Sequence, residues 1–241
     1  MKLSIITINY NNRSGLIRTT QSVNRIENML RDTIQYIVID GNSNDGSVEF
    51  LQSEKDKFQK CIIEPDNGIY DAINKGLAEC VGDYILVLNS GDVLIKDELK
   101  EIISNLGQDD IYYCDVDILN KLRRQKHISD HNQLTHRMSI SHQGALVARS
   151  VYKDNLYDQT YKLSADFAFF NKCLIQGKSF KKLNFTIAEF EVGGRSDTQF
   201  ITSRLENLRA LYRHKQYYYM FSGLIRYVRE AIHLGIRALV H

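Results

Sequence analysis

The sequence contains little proline, no tryptophan and no long apolar segment. One proline occurs in 241 residues, and no run approaches the roughly 18 consecutive apolar residues that a membrane-spanning helix needs. The apolar start of the chain, Leu3–Ile8, is short for a signal peptide and lacks a small-residue cleavage site. We therefore expect a cytoplasmic protein without a membrane span.

Charge and cysteine content argue against two further classes of protein. The formal net charge of +2 is too small to indicate a nucleic-acid partner. The cysteines have neither CxxC spacing nor a histidine at zinc spacing, because they lie far apart at Cys61, Cys80, Cys114 and Cys173. We expect four reduced thiols, as is usual in the cytoplasm.

Short β-branched runs alternate with helical patterns in the first part of the chain. The runs with strand character are Leu3–Ile8, Ile34–Ile39, Lys60–Ile63 and Tyr84–Leu88, and those with helical spacing are Ser14–Met29, Ser47–Ser53 and Tyr70–Glu79. This alternation predicts an α/β fold with a doubly wound, parallel sheet.

Weaker patterns predict the elements that follow. We expect, in order, a helix at Lys96–Asn105, a strand at Asp110–Cys114, a hairpin at Ile118–His127, a strand at Gln143–Val147, a helix at Ser164–Cys173, a strand at Lys178–Glu189 and helices at 199–214 and 217–240. The length suits one α/β domain with a modest appendage. We place the domain at residues 1–198 and the appendage of basic, amphipathic helices at residues 199–241.

An acidic turn follows the fourth predicted strand. Asn89-Ser90-Gly91 breaks the strand, and Asp92 lies just beyond its carboxyl end, where open α/β sheets bind ligands. Mg²⁺ and Mn²⁺ take a few protein oxygens together with phosphate oxygens. Asp92 is therefore a candidate ligand for a metal shared with a diphosphate.

Two other polar loops exclude familiar cofactors. The loop after the first strand, Asn9–Asn12, lacks the GxGxxG of a dinucleotide fold, which argues against an NAD or SAM enzyme. The loop Asp40–Gly46 is only superficially like an EF-hand. Asp45 stands where that loop needs glycine, and Leu51 stands where it needs a bidentate glutamate.

Four segments, in order, resemble family 2 glycosyltransferases with the GT-A fold. They are LSIITINYNN, IDGNSNDGS, DNGIYDAINKG with VGDYILVLNSGD, and SHQGALVARS with LSADFAFF, which together run from residue 3 to about residue 170. The likeness is greatest to the branch that builds bacterial capsule, colanic-acid-like or O-antigen polysaccharide. It implies a Rossmann-like, mostly parallel sheet flanked by helices, here with a C-terminal helical extension.

The resemblance assigns nucleotide-binding roles to several residues. It implies that Tyr10 stacks on the base, that Asp40 accepts the N3–H of uracil, and that Asp71 and Asn74 face the nucleotide and its ribose. Lys75 lies on the same helical face as the last two. A capped turn and a solvated charged face are the alternative readings of these positions.

The resemblance also assigns the chemistry. It implies that Asp92 holds Mg²⁺ or Mn²⁺, although Asn89 and Gly91 stand where relatives often carry further carboxylates, and an N-cap or turn aspartate is the alternative. Asp166 matches the catalytic base of inverting members, with a plain helix cap as the alternative.

Two further segments complete the predicted site. His142 and Gln143 are placed near the donor sugar or the acceptor, although a lone histidine is often structural. Arg195 lies in a Gly-Gly segment that resembles a mobile loop near the diphosphate, and an ordinary linker into the terminal helices is equally compatible with the pattern.

The implied function is that of an inverting glycosyltransferase. Its donor is a nucleoside diphosphate sugar, with UDP favoured over GDP. Its acceptor is a hydroxyl of a cell-surface polysaccharide precursor, which the resemblance implies to be lipid-linked. A nucleotidyltransferase would need a Gly- and Lys/Arg-rich loop after the first strand. A non-catalytic sugar-nucleotide-binding module of a polysaccharide assembly complex would lose Asp92 or Asp166, and both are present.

The C-terminal segment is basic and amphipathic. From residue 201 onward seven Lys/Arg stand against two Glu. One helical face carries Leu224, Ile225, Val228, Ala231, Ile232 and Leu239, and the other carries Arg226, Arg229, Glu230, His233 and Arg237. Such a helix can lie on the inner face of the plasma membrane, pack on the domain or form a homodimer contact.

Overall fold

The computed structural model describes residues 2–30, 32–95, 97–120, 123–191 and 199–239. Within these ranges the chain forms one nine-stranded sheet with helices on both faces. The predicted α/β architecture is confirmed.

The first half of the sheet is parallel. Its strands lie in the order β3-β2-β1-β4, with bounds β1 Leu3–Asn9, β2 Ile34–Asp40, β3 Lys60–Ile63 and β4 Tyr84–Asn89. Alternate side chains of each strand enter two separate cores, with Ile6 on one face and Ile5 on the other. Because both faces are covered, these strands are mainly apolar and do not alternate between apolar and polar residues.

Three helices connect the parallel strands: α1 Arg13–Leu30, α2 Ser47–Ser53 and α3 Ile69–Ala78. Gly46 and Gly68 precede α2 and α3 with φ angles of 90° and 118°. These left-handed angles favour glycine, so each turn into a helix depends on its glycine.

The second half of the sheet is mixed. It contains β5 Val93–Leu94, α4 Leu99–Asn105, β6 Ile111–Asn120, β7 Arg123–His127, β8 Ala145–Ala148 and β9 Phe180–Glu191. β8 runs antiparallel between β4 and β6, whereas β9 is parallel to β6. The predicted hairpin is formed by the end of β6 with β7. The two-residue β5 was not expected, since so short a strand carries no periodicity.

The remaining helices are α5 Arg149–Asp154, which was not predicted, α6 Ala165–Ile175, α7 Phe200–Arg213 and α8 Tyr217–Leu239. Ala210 and Leu211 of α7 are fully buried in the core that contains α6. No helix in the described ranges combines the length and apolar character needed to cross a bilayer. The division of the chain at residue 198 stays a prediction, but α7 packs as part of the domain.

Gly82 marks the point where the chain returns from α3 to β4. A Cβ atom there would lie 2.5 Å from the Ser4 nitrogen and 2.8 Å from the Leu3 carbonyl carbon. We expect Gly82→Ala to lower the free energy of unfolding by about 1–3 kcal/mol, because the backbone atoms that the Cβ would meet can shift only at an energetic cost. Denaturant melts would measure this. Gly223→Ala is the control: its Cβ would meet Leu208 at an ordinary 3.4 Å, so a destabilisation of equal size would contradict the steric account.

Candidate active site

A cleft opens beyond the carboxyl ends of β1 and β4. It consists of two cavities of about 700 and 380 Å³ that share the wall residues Ile69, Asn89 and Ser90. Tyr10 lines the first cavity, and Asp92, His142, Gln143 and Asp166 line the second. Five of the predicted site residues therefore border one continuous cleft.

The first cavity has a flat aromatic wall and an acidic neighbour. The Tyr10 side chain is 60% exposed, which leaves its ring accessible for stacking. A Cβ on Gly41 would lie 2.4 Å from the Asp66 carboxylate and 3.0 Å from the Tyr10 ring. Asp66, which the sequence analysis did not select, also accepts the Gly68 N–H at 2.8 Å. The absence of a side chain at Gly41 thus allows both the ring and the carboxylate to approach the backbone there.

Asp40 is fully buried behind this cavity. Its carboxylate accepts hydrogen bonds from the Asn9 side chain at 2.6 Å, and from the Ser43 amide and hydroxyl at 2.8 and 2.9 Å. These bonds hold the loop after β1 against the loop after β2. The predicted bond to a uracil base stays a prediction, and the carboxylate lines neither cavity.

The polar face of α3 packs on loops instead of facing the cleft. The Asn74 side chain bonds both the Tyr157 carbonyl, at 2.9 Å, and the Tyr157 amide, at 3.0 Å. Asp71 accepts the Asn67 N–H at 2.9 Å, and Lys75 donates to the Pro65 carbonyl at 2.8 Å. The nucleotide roles of Asp71, Asn74 and Lys75 remain predictions without a supporting contact.

The spacing of Asp71, Asn74 and Lys75 predicted that they share one face of α3. It did not predict which part of the protein that face contacts. The α3 residues on the cleft are Ile69, Tyr70, Ala72 and Ile73. Apolar residues at the start of a helix are typical of core positions, so the sequence did not predict these four as site residues.

Asp92 lies at the floor of the second cavity, only 6% exposed. Its Oδ2 accepts the Asn89 N–H at 2.7 Å, and Gly91 reaches the required turn with φ of 113°. Burial raises the pKa of Asp92 to about 6, against the opposing charge of His142 and hydrogen bonds from Asn89 and Gln143. The carboxylate is therefore costly to ionise without a cation nearby.

His142 lines the same cavity as the two carboxylates. Its Nε2 is 3.1 Å from the Asn89 Nδ2, and its Nδ1 is 3.6 Å from the Asp166 Oδ2. If the Asn89 amide donates, Nε2 is the acceptor and the proton of a neutral ring faces Asp166. The ring thereby connects the turn after β4 to the start of α6.

Asp166 is the second residue of α6. Its Oδ1 accepts the Phe167 N–H at 2.8 Å and lies 3.4 Å from the Tyr70 hydroxyl, which is a donor. Burial, followed by the Asp166 charge, raises the pKa of Tyr70 well above its usual value, so the phenol keeps its proton. An N–H and a phenol thus hold the Asp166 carboxylate in the first turn of the helix.

The oxygens near Asp92 fit a hard cation. Asn89 Oδ1 and Ser90 Oγ are buried and have no hydrogen-bond partner among the described residues, and both residues border Asp92 in the cleft. Oxygen donors of this kind suit Mg²⁺ or Mn²⁺. The described ranges contain no cluster of three or more His, Cys, Asp or Glu that could hold a metal. A cation here would therefore depend on further oxygens, such as those of a diphosphate. Arg195 lies outside the described residues.

The fold and cleft define an α/β protein of the GT-A class. The sequence matches the model of the family described as Glycosyl transferase family 2 over residues 4–177. This match covers more than half of the chain, so the protein belongs to glycosyltransferase family 2.

Curated relatives include mycobacterial glycosyltransferases. An uncharacterised glycosyltransferase of Mycobacterium tuberculosis is 42% identical over 90 residues, which are 37% of this chain and 34% of that protein. A PGL/p-HBAD biosynthesis glycosyltransferase of Mycobacterium bovis is 25% identical over 174 residues, 68% of each chain. The match thus spans about a third of the first relative.

Solved structures share the fold. Staphylococcus aureus TarS in complex with UDP-GlcNAc superposes with a TM-score of 0.71 at 14% identity, covering 88% of this chain and 64% of that one. The mannosyltransferase PcManGT of Pyrobaculum calidifontis, in complex with GDP-Man and Mn²⁺, gives a TM-score of 0.66 at 12% identity, covering 89% and 64%. At these identities the likeness establishes the fold.

The raised pKa of Asp92 has a measurable consequence for stability. In metal-free protein the folded state holds this proton up to a pH of about 6, whereas the unfolded chain releases it near 4. Stability is therefore lost as the pH rises from about 4 to 6 and stays lower above it. We expect the free energy of unfolding of Asp92→Asn to exceed that of wild type by up to about 3 kcal/mol at pH 8. At pH 4 the two free energies should differ little.

The measurement is denaturant unfolding of both proteins in EDTA at each pH. Asp154→Asn, a change on α5 outside the cleft, is the control. A constant difference between wild type and Asp92→Asn across the range would contradict the assignment.

Proposed function

We propose that this chain is an inverting, metal-dependent glycosyltransferase that moves a sugar from a nucleoside diphosphate to an acceptor hydroxyl. The observation that carries the proposal is the presence of Asp92 and Asp166 in one cavity, which His142 also lines. A nucleotide-binding module without catalysis would have no need of two carboxylates there.

Asp166 acts as the base. It takes the proton from the acceptor hydroxyl as that oxygen attacks the anomeric carbon, and the bond to the diphosphate breaks on the opposite side of the sugar. One displacement inverts the configuration at the anomeric carbon. Tyr70 and Phe167 hold Oδ1 of the carboxylate by hydrogen bonds. Oδ2, which lies 3.6 Å from the His142 Nδ1, is the oxygen that meets the acceptor.

Mg²⁺ or Mn²⁺ would be held by Asp92 with the Asn89 and Ser90 side-chain oxygens. When bound, such an ion stabilises the negative charge of a departing diphosphate. Asp92, buried and costly to ionise alone, would regain favourable electrostatics with the ion beside it.

The first cavity takes the nucleotide. Tyr10 provides the stacking surface, and Asp40 supports the adjoining loops. TarS binds UDP and UDP-GlcNAc, whereas PcManGT binds GDP-Man, so a nucleoside diphosphate sugar is the common denominator. We favour UDP for this chain.

The acceptor is a lipid-linked precursor of a cell-surface polysaccharide, met at the inner face of the plasma membrane. Support comes from α8, whose exposed apolar stripe consists of Tyr217, Tyr218, Phe221, Leu224, Ile225 and Val228. The opposite side of the helix carries Gly223 and Tyr227, which pack on the protein. Aromatic side chains and an excess of positive charge favour an anionic bilayer surface over a second protein copy.

Asp166→Asn keeps the shape of the side chain and removes its basicity. We expect transfer to fall on the order of 10²–10⁴-fold, the usual contribution of a positioned base, while UDP binding persists. Activity assays with a panel of nucleotide sugars and calorimetry with UDP and Mn²⁺ would measure the two effects.

The control for this test is Asp154→Asn on α5. Loss of UDP binding together with the rate in Asp166→Asn would assign a structural role to the carboxylate. An α-linked product from an α-linked donor would rule out the single displacement.

Ile225→Asp should weaken binding to anionic vesicles, because it places a charge in the exposed stripe of α8. Co-sedimentation of the full chain with phosphatidylglycerol vesicles would show a several-fold lower bound fraction. Val81→Asp is the matched control, since Val81 is 56% exposed and lies in the turn before β4. Equal binding of both variants, or a wild-type protein that dimerises and ignores vesicles, would contradict the membrane proposal.

A further inference from the structure

One face of α7 lies against the loop that leads into α6. Ser203, Glu206, Arg209 and Arg213 recur every three or four residues, so they share a side of the helix. All four bond or stack on residues 158–164. We call these four residues the clasp.

Glu206 makes the central contact of the clasp. Its Oε1 accepts the Lys162 N–H at 2.8 Å, and its Oε2 accepts the Leu163 and Ser164 N–H groups at 2.8 and 3.0 Å. Three consecutive backbone donors thus converge on one carboxylate. Bonds from amides to a charged acceptor are stronger than neutral ones.

This arrangement replaces ordinary capping of α6. Ser164 occupies the N-cap position, yet its side chain makes no cap bond to the helix. Its hydroxyl is instead 3.1 Å from both the carbonyl and the hydroxyl oxygen of Ser203. Glu206, from a different helix, adds a negative charge at this helix N-terminus to that of Asp166 in the first turn.

The two arginines of the clasp extend the grip along the loop. Arg213 pairs with Asp158 at 2.9 Å, and Arg209 donates to the Thr160 carbonyl at 3.3 Å. The guanidinium groups of Arg209 and Arg213 lie over the Tyr161 ring, 5.2 and 5.4 Å from its centre, respectively. The loop is therefore fixed at several points and not only at its end.

The loop is a wall of the second cavity. Lys162 and Leu163 line the same cavity as Asp166, which follows them by a few residues. A displacement of about 1 Å in a catalytic group can cost on the order of 10²-fold in rate. The position of the Asp166 carboxylate therefore depends on the loop that Glu206 holds.

We infer that Glu206 is a positioning residue for the transferase. It fixes the segment 162–164 and the start of α6, so that Asp166 faces the acceptor hydroxyl. This inference rests on the proposed function, and it assigns to the C-terminal helices a direct part in the catalytic geometry.

The test is Glu206→Gln in the full chain. The substitution keeps the length of the side chain but removes its charge and places an NH₂ group among N–H donors. We expect kcat to fall on the order of 10- to 100-fold, with the Kd and the stoichiometry of UDP binding unchanged within about twofold. Hydrogen exchange of the amides of residues 162–164 should become faster. Glu206→Asp, which keeps the charge with a shorter reach, should be intermediate.

Glu101→Gln on α4 is the matched control, because this exposed side chain makes no contact with the clasp or its loop. Wild-type turnover is measured first: its absence across the donor panel refutes the proposed function. Wild-type turnover with an equally active Glu206→Gln, or with unchanged amide exchange, overturns the inference alone. A parallel loss of UDP-binding stoichiometry would show that Glu206→Gln is unfolded, and Ser203→Ala then carries the test. Unchanged exchange or turnover in Ser203→Ala overturns the inference.

Discussion

The parallel register of β1, β2 and β4 is the constraint on which the cleft depends. Backbone pairing sets Asn9 beside Asp40 and Ile8 beside Asn89, so polar residues from three strands end at one edge. A slip of one residue would turn every apolar side chain of a strand toward the wrong core. The core therefore enforces the register, and the register places the polar ends.

Placing carboxylates at that edge costs stability, and the structure offsets the cost unequally. Asp40 is fully buried but receives three hydrogen bonds within the protein, so it serves as a structural anchor. Asp92 is also buried, and its pKa is raised, which means that its surroundings compensate the charge incompletely. Structural carboxylates are normally satisfied by hydrogen bonds, as Asp40 is. A carboxylate beside a cavity whose charge is incompletely compensated is typical of a functional site.

The sequence predicted what depends on local patterns. α2 and β3 have the predicted bounds, and β1, β2 and β4 differ from prediction by one residue at an end, because hydrophobic runs and glycine turns are local signals. It could not predict which surface the polar face of α3 would meet, since the partner, Tyr157, is far away in sequence. The contacts of the clasp could not be predicted for the same reason. In the sequence Glu206 is one charge on an amphipathic helix, and its partners precede α6.

Separate faces of α7 contact the loop before α6 and expose apolar side chains. Ser203, Glu206 and Arg209 grip the loop before α6, whereas Ile201, Leu205 and Tyr212 are exposed. Tyr212 also contacts Tyr217, with ring centres 5.8 Å apart, so the exposed row of α7 adjoins the stripe of α8. Attachment of that apolar surface would therefore leave the clasp undisturbed. The proposed lipid-linked acceptor would require such an arrangement, since helices that attach to a membrane would have to leave the wall of the cavity in place.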